Sequence, residues 1–252
     1  MGTLAGTIFA FFGGAMSGSF LSVVAHRVPR GESIVAPRSR CSSCGTTIAA
    51  HDNIPIFSWL LLRGRCRSCG ARIPARYPLV EIATGLAFAA TALVLHDEPA
   101  ALALGLALVA TLAAVTLTDL ELRLIPNRIL LVSAIGGVAL AAALDPGSLP
   151  ERAIAAVAAG GLLFAVALAY PKGMGLGDVK LAAVMGLYLG RCVAPALLTA
   201  FLVGSVVGLA MIAREGSAAR KMAIPFGPFL AIGGLVGLLA GELIVNWYLT
   251  AF

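Results

Sequence analysis

The chain has 252 residues, of which 60% are hydrophobic and only 12% charged, and its mean hydropathy is +0.97. A soluble domain carries about 25% charged residues and needs them to cover its surface, so this composition excludes a water-soluble globular protein and points to an all-α polytopic membrane protein. The net charge of +6 orients membrane spans and does not indicate nucleic-acid binding.

Apolar runs of about 20 residues, the length of helix that crosses a bilayer, recur along the chain. The first, Leu4 to Ala25, has no Lys or Arg before it and is followed at once by Arg27 and Arg30. It lacks the basic leading segment of a cleavable signal and is expected to remain as a membrane helix. Further spans are expected at about 79–95, 100–117, 129–144, 154–170 and 224–249. The long run 181–213 is interrupted by Gly190, Arg191 and Pro195.

If that run makes two spans, the loops alternate cleanly in charge. Residues 26–78 hold nine Arg, 118–128 hold two, 171–180 hold two Lys and 214–221 hold three basic residues, which places 16 of the 18 basic residues on one side. Short basic loops stay in the cytoplasm, leaving Arg152 and Arg191 outside with Asp97, Glu98, Asp145 and Glu151. The expectation is about eight transmembrane helices with both termini outside. Three parts follow: a first helix (1–26), a cytoplasmic insert (27–78) and a membrane domain of about seven helices (79–252).

Within the insert, Cys41-Ser-Ser-Cys44 and Cys66-Arg-Ser-Cys69 are CxxC knuckles 21 residues apart, each followed by a glycine, Gly45 or Gly70. This spacing is close to that of a four-cysteine zinc ribbon. In a reducing cytoplasm four thiolates around structural Zn²⁺ are favoured over disulfides, and a segment of about 50 residues with few apolar groups needs such a staple. Reduced, redox-labile thiols are the alternative. His51 reads as a surface residue, and Cys192 as a small apolar filler near the outer face.

Ionisable groups in or at the ends of spans are functional candidates by default, because burying a charge in lipid is costly. Glu81 and Glu242 lie near or within spans, Glu81 being either interfacial or turned toward the active site. Asp119 ends the third span, and Asp178 closes Gly173-Met174-Gly175-Leu176-Gly177-Asp178 at the mouth of the sixth. The alternation puts both at the cytoplasmic face. Two neighbouring carboxylates share a proton, so one can activate water while the other donates to a carbonyl, the chemistry of an aspartic protease. The glycines at 173, 175 and 177 suit close approach by another chain, which makes Gly175, Gly177 and Lys180 substrate-proximal candidates. The bland reading is that an Asp only caps a helix.

The surrounding residues carry a resemblance. Gly18-Ser19-Phe20-Leu21-Ser22 at the end of the first span, both CxxC knuckles and Asn53-Ile54-Pro55-Ile56-Phe57-Ser58-Trp59-Leu60 between them come first. Arg76-Tyr77-Pro78-Leu79-Val80-Glu81, Thr118-Asp119 with Ile125-Pro126-Asn127, and Gly175-Leu176-Gly177-Asp178-Val179-Lys180 follow in order. Over most of its length the chain resembles the type IV prepilin leader peptidases/N-methyltransferases, a group of GxGD aspartic proteases. The resemblance implies a bacterial inner-membrane enzyme that cuts the basic leader of prepilins and pseudopilins after Gly at the cytoplasmic face. It also implies N-methylation of the new amino terminus, usually Phe, by S-adenosylmethionine. Asp119 and Asp178 fall on the catalytic positions, and the insert corresponds to the part associated with methyl transfer. No Gly-rich nucleotide loop marks a methyl-donor site.

Helix polarity suggests unequal acids, with Asp119 at a helix carboxyl end as the protonated partner and Asp178 at an amino end as the base. Two other function classes compete: a proton-coupled transporter using the aspartates as a relay, and an assembly protein whose insert docks a partner. A basic leader must also approach an insert with nine Arg and only Glu32 and Asp52 to offset them, so Glu121 or membrane lipid headgroups are expected to contribute to recognition.

Overall fold

The computed structural model describes residues 2–171, 173–216 and 225–251. The chain forms two compact units, Met1–His96 and Asp97–Phe252.

In the first unit, helix α1 (Gly2–Arg27) packs along α3 (Arg76–Leu95), and a short α2 (Phe57–Leu61) belongs to the insert between them. Helices in lipid gain little from hiding apolar surface from each other, so they associate where small residues let backbones approach. Gly14 and Gly18 supply that approach. A Cβ at Gly14 would lie 2.7 Å from the Thr84 carbonyl oxygen, and one at Gly18 would lie 3.2 Å from the Glu81 Cα.

The insert leaves α1 through Arg27, whose guanidinium donates to the carbonyls of Ser33 and Pro37, both at 2.8 Å. Its middle then returns to the helix pair. Phe57 stacks on Phe12 of α1 with ring centroids 6.3 Å apart, and the Trp59 indole donates to the Ile73 carbonyl at 3.1 Å.

The second unit contains α4 (Pro99–Leu122), α5 (Asn127–Leu144), α6 (Leu149–Ala169), α7 (Leu176–Leu189), α8 (Val193–Glu215) and α9 (Gly227–Ala251). Pro99 opens α4, and Arg123, at φ 52°, closes it with its N–H on the Asp119 carbonyl. Leu104, Leu108, Leu163, Leu181, Met185 and Leu230 are fully buried. Leu131, Val132, Leu209 and Leu243 are more than 60% exposed on the opposite faces, as a lipid-bathed surface requires.

Seven stretches of described helix are long and apolar enough to cross a membrane, one of them the 40-residue stretch Leu176–Glu215. That stretch is a hairpin. Met185 and Leu189 of α7 meet Gly234 and Gly237 of α9, whereas Cys192 in the turn before α8 and Ala196 and Ala200 of α8 meet Gly241, Gly237 and Gly233. Helix α7 therefore runs with α9 and α8 runs against it, which yields the eight spans expected from loop charge. The reversal occurs at Gly190, whose φ of 55° and ψ of −136° are open to glycine and strained for other residues. Of the basic residues assigned to inside loops, Lys172, Arg220 and Lys221 lie outside the described residues, as does Ile224 at the start of the last expected span.

Two polar arrangements hold this unit. Between α4, α5 and α7, Thr111 and Ser133 share a hydrogen bond of 2.7 Å, and the Tyr188 hydroxyl donates to the Ser133 carbonyl at 2.8 Å. At the hairpin, Arg191 pairs with Glu242, its amide donates to Glu151 at 2.9 Å, and the Cys192 thiol donates to Glu242 at 3.3 Å. Cys192 is thus a hydrogen-bond donor as well as a filler, and Glu242 is accounted for structurally. Helix α7 has 14 residues, about 21 Å of helix against an apolar layer of about 30 Å.

Candidate active site

Asp119 lies in the last turn of α4 and Asp178 in the first turn of α7, at 6% and 9% exposure. They come from helices that run in opposite directions, so a carboxyl end and an amino end meet at one level. Asp178 is within electrostatic reach of Asp119. The two acids that the sequence singled out are thereby brought together, 59 positions apart in the chain.

Each carboxylate is held by a backbone amide at a helix amino end. Asp178 Oδ2 accepts the Gly175 N–H at 3.2 Å, and Asp119 Oδ2 accepts the Gly227 N–H, at the start of α9, at 2.8 Å. The second contact needs glycine: a Cβ at Gly227 would stand 2.7 Å from that same oxygen. Nothing in the sequence around Gly227 marks it as part of the site. Its amide removes the basis for making Asp119 the protonated partner, because α9's positive end offsets the negative end of α4.

The glycines around Asp178 divide in role. A Cβ at Gly177 would come within 3.0 Å of the Ile125 Cβ, so the close approach there is filled by the protein's own Ile125-Pro126-Asn127 loop. Gly173 and Gly175 are exposed, although the Gly173 N–H donates to the Tyr170 carbonyl and Gly175 is bonded to Asp178 through both its N–H and its carbonyl. Lys180 donates to Asn127 Oδ1 at 2.9 Å, tying that loop to α7. Both carboxylates sit at helix ends on one side of the bundle, whereas a proton relay needs groups spread through the depth of the membrane.

In the first unit the knuckles are near-copies. Cys41 N–H donates to the Thr46 carbonyl and Gly45 N–H to Cys41, and Cys66 and Gly70 repeat these bonds 25 positions on. Gly45 and Gly70 share a φ of 71°. Isolated bridges Arg40–Thr47 and Arg65–Arg72 close each knuckle. The four cysteine sulfurs lie within 4.8 Å of one another, and the Sγ atoms of Cys41 and Cys69 are 3.8 Å apart. Zn–S bonds of about 2.3 Å in a tetrahedron put sulfurs about 3.8 Å apart, so this cluster can hold a zinc ion.

Backbone amides hold the Cys41 and Cys66 thiols below the ordinary range, and the Thr46 hydroxyl does the same for Cys44. At Cys69 the Ala71 amide acts downward, but neighbouring thiols and desolvation together push it up to about 11. His51 lies outside the cluster and neighbours Asp52, which the Arg67 guanidinium grips through three bonds at 2.6, 2.8 and 3.1 Å. One of the two acids offsetting the insert's arginines is thereby taken up.

These features define a multi-pass helical membrane protein with a paired-acid site and a four-cysteine insert. The chain belongs to the prepilin leader peptidase/N-methyltransferase family. Residues 12–95 match the bacterial peptidase A24 N-terminal domain, and residues 106–213 match the type IV leader peptidase family. The first match falls within the first compact unit and the second within the other. A prepilin leader peptidase/N-methyltransferase of Aeromonas hydrophila is 39% identical, covering 94% of this chain and 91% of its own length. Proteins of the same name from Bacillus subtilis (strain 168), 36% identical over 95% of this chain and 96% of theirs, and from Stutzerimonas stutzeri, 35% over 98% and 94%, are also similar. No solved structure matches the chain.

Proposed function

We propose that this chain is a membrane aspartic endopeptidase that cleaves the basic leader from prepilins or pseudopilins after Gly, and that it N-methylates the new amino terminus with S-adenosylmethionine. The observation that carries the reading is the meeting of buried Asp119 and Asp178 at opposed helix ends, in a chain 39% identical to an Aeromonas hydrophila protein of that name.

Asp119 and Asp178 are the catalytic residues. Two carboxyls that act as a close pair hold one proton between them. The ionised member takes a proton from water as that water attacks the scissile carbonyl, and the protonated member donates to the carbonyl oxygen. With an amide on each acid, the pair titrates as a unit, and the roles follow the side from which water enters. The Gly227 and Gly175 amides fix the carboxylates so that little reorganisation accompanies the attack. The exposed glycines at 173 and 175 carry no side chain and leave room for an extended substrate to lie against this segment. Gly177 and Lys180 support it indirectly, through Ile125 and Asn127.

Cys41, Cys44, Cys66 and Cys69 hold a structural Zn²⁺, which cross-links the two knuckles of an insert with little core of its own. Loop charge supports a bacterial inner membrane with the insert and the acids at the cytoplasmic face. Single cysteines at Ser33 and Ser148, probed with an impermeant maleimide, test this topology. Ser148 should label from outside and Ser33 only after lysis, and the reverse pattern refutes the orientation.

The function is tested with purified protein and a prepilin, following release of the leader and the mass increase of a methyl group. Cleavage by wild type that is lost in both D119A and D178A supports the reading. Cleavage that survives both substitutions removes the aspartates from the mechanism.

A further inference from the structure

Glu81 is the intramembrane acid that the peptidase chemistry leaves unused. It lies in the second turn of α3 at 7% exposure, and no ion pair to it occurs among the described residues. Glu242 has Arg191 and Asp52 has Arg67. A carboxylate so buried in an apolar layer is costly without a cation.

The carboxylate is nonetheless aimed. Its Oε2 accepts the Ile56 N–H at 2.7 Å. Ile56 has φ 65° and ψ −56°, and the Phe57 N–H donates to the Pro55 carbonyl at 2.6 Å, which makes a γ-turn of the rare, strained hand. A β-branched residue keeps such a backbone only where its surroundings enforce it. The other oxygen, Oε1, has no hydrogen-bond partner among the described residues, and since no sealed side-chain oxygen lacks a partner, Oε1 keeps access to a ligand. Ile56 lies against the carboxylate through that bond, and the next residue, Phe57, stacks on Phe12 of α1.

An oriented carboxylate without a countercharge, beside the apolar Ile56–Phe57 pair, fits a primary ammonium at the end of an apolar segment. We propose that Glu81 receives the free amino terminus that leader cleavage creates, and so forms the methyl-acceptor site. This rests on the reading above of the chain as a peptidase and methyltransferase. Loop charge assigns the amino end of α3 to the cytoplasmic side, the side on which the reading above puts leader cleavage.

Carboxylate and ammonium form a charge-assisted hydrogen bond. Before the nitrogen can attack, it sheds one proton, which Glu81 takes up. The nitrogen lone pair then forms the N–C bond, and the C–S pair leaves with the sulfur of the sulfonium donor as a neutral thioether.

The test uses the full chain in phospholipid nanodiscs and a fluorescent peptide of the mature amino-terminal sequence, with the terminus free or acetylated. By anisotropy, wild type should bind the free amine about tenfold more tightly than the acetylated peptide. E81Q keeps an acceptor for the Ile56 N–H but loses the charge. It should bind both peptides alike, and E81D should restore most of the preference. Methylation of the free peptide should fall at least tenfold in E81Q. A preference that persists in E81Q, or is absent in wild type, overturns the proposal. So does loss in E81A but not in E81Q, which would trace the effect to the loop. Failure of wild type to cleave a prepilin refutes the underlying reading and is scored in a separate assay.

Discussion

Asp119 accepts the backbone N–H of Gly227, 108 positions further along the chain, at 2.8 Å. The bond joins one acid of the pair to the first turn of the last helix, where only hydrogen fits on the α-carbon side facing the carboxylate. Gly227→Ala should therefore move the carboxylate and lower prepilin cleavage by about 10–100-fold, as small displacements in a preorganised site do. Membrane insertion should be unchanged, and a rate within twofold of wild type would show that the contact does not matter.

The paired acids invite a comparison of their amides. Asp119→Asn and Asp178→Asn each leave a neutral group that cannot share a proton, and each should cost about 10²–10⁴-fold in cleavage. The double variant should cost little more than either single one, because the two act as a unit. Losses that simply multiply would indicate independent roles.

Zinc binding should depend on pH with a definite sign. Thiolates bind metal and thiols do not. With Cys69 pushed up to about 11, loading the site at neutral pH must displace at least that proton, so affinity rises with pH and acidification releases metal. Titration with a chelator at pH 6 and pH 8 should show weaker retention at pH 6, with one Zn²⁺ per chain by elemental analysis. Cys69→Ser should abolish retention.

Much of this was legible beforehand. The eight spans followed from where Lys and Arg fall and from Gly190 within one long apolar run, because charge cannot be hidden in lipid. Asp119 and Asp178 stood out for the same reason. What could not be read was helix rotation. A soluble helix shows its buried face by its polar one, but a span in lipid is apolar all round, so nothing in Gly227, or in the Gly233, Gly237 and Gly241 ladder, says which neighbour each meets. The γ-turn at Ile56 was hidden differently, since it is set by Glu81 from another helix and contradicts the local preference of isoleucine.

That ladder yields its own test. A Cβ at Gly237 would lie 2.7 Å from the Ala196 Cβ and 2.8 Å from the Cys192 carbonyl oxygen. Gly237→Leu should force α8 and α9 apart and destabilise the unit by about 1–3 kcal/mol, measured by unfolding in mixed detergent. Leu243→Ala, on an exposed face, should cost far less.

Helix α7, at 14 residues, is about 9 Å shorter than the apolar layer it crosses. Unwound backbone at membrane depth persists only where it lines a wet cavity or is covered by protein, and Gly173 and Gly175, which precede α7, are exposed. A bilayer around so short a span would thin or admit solvent at that end. On the reading of Asp119 and Asp178 as a peptidase pair, the shortness of this one helix is what would let water reach the acids from the membrane surface.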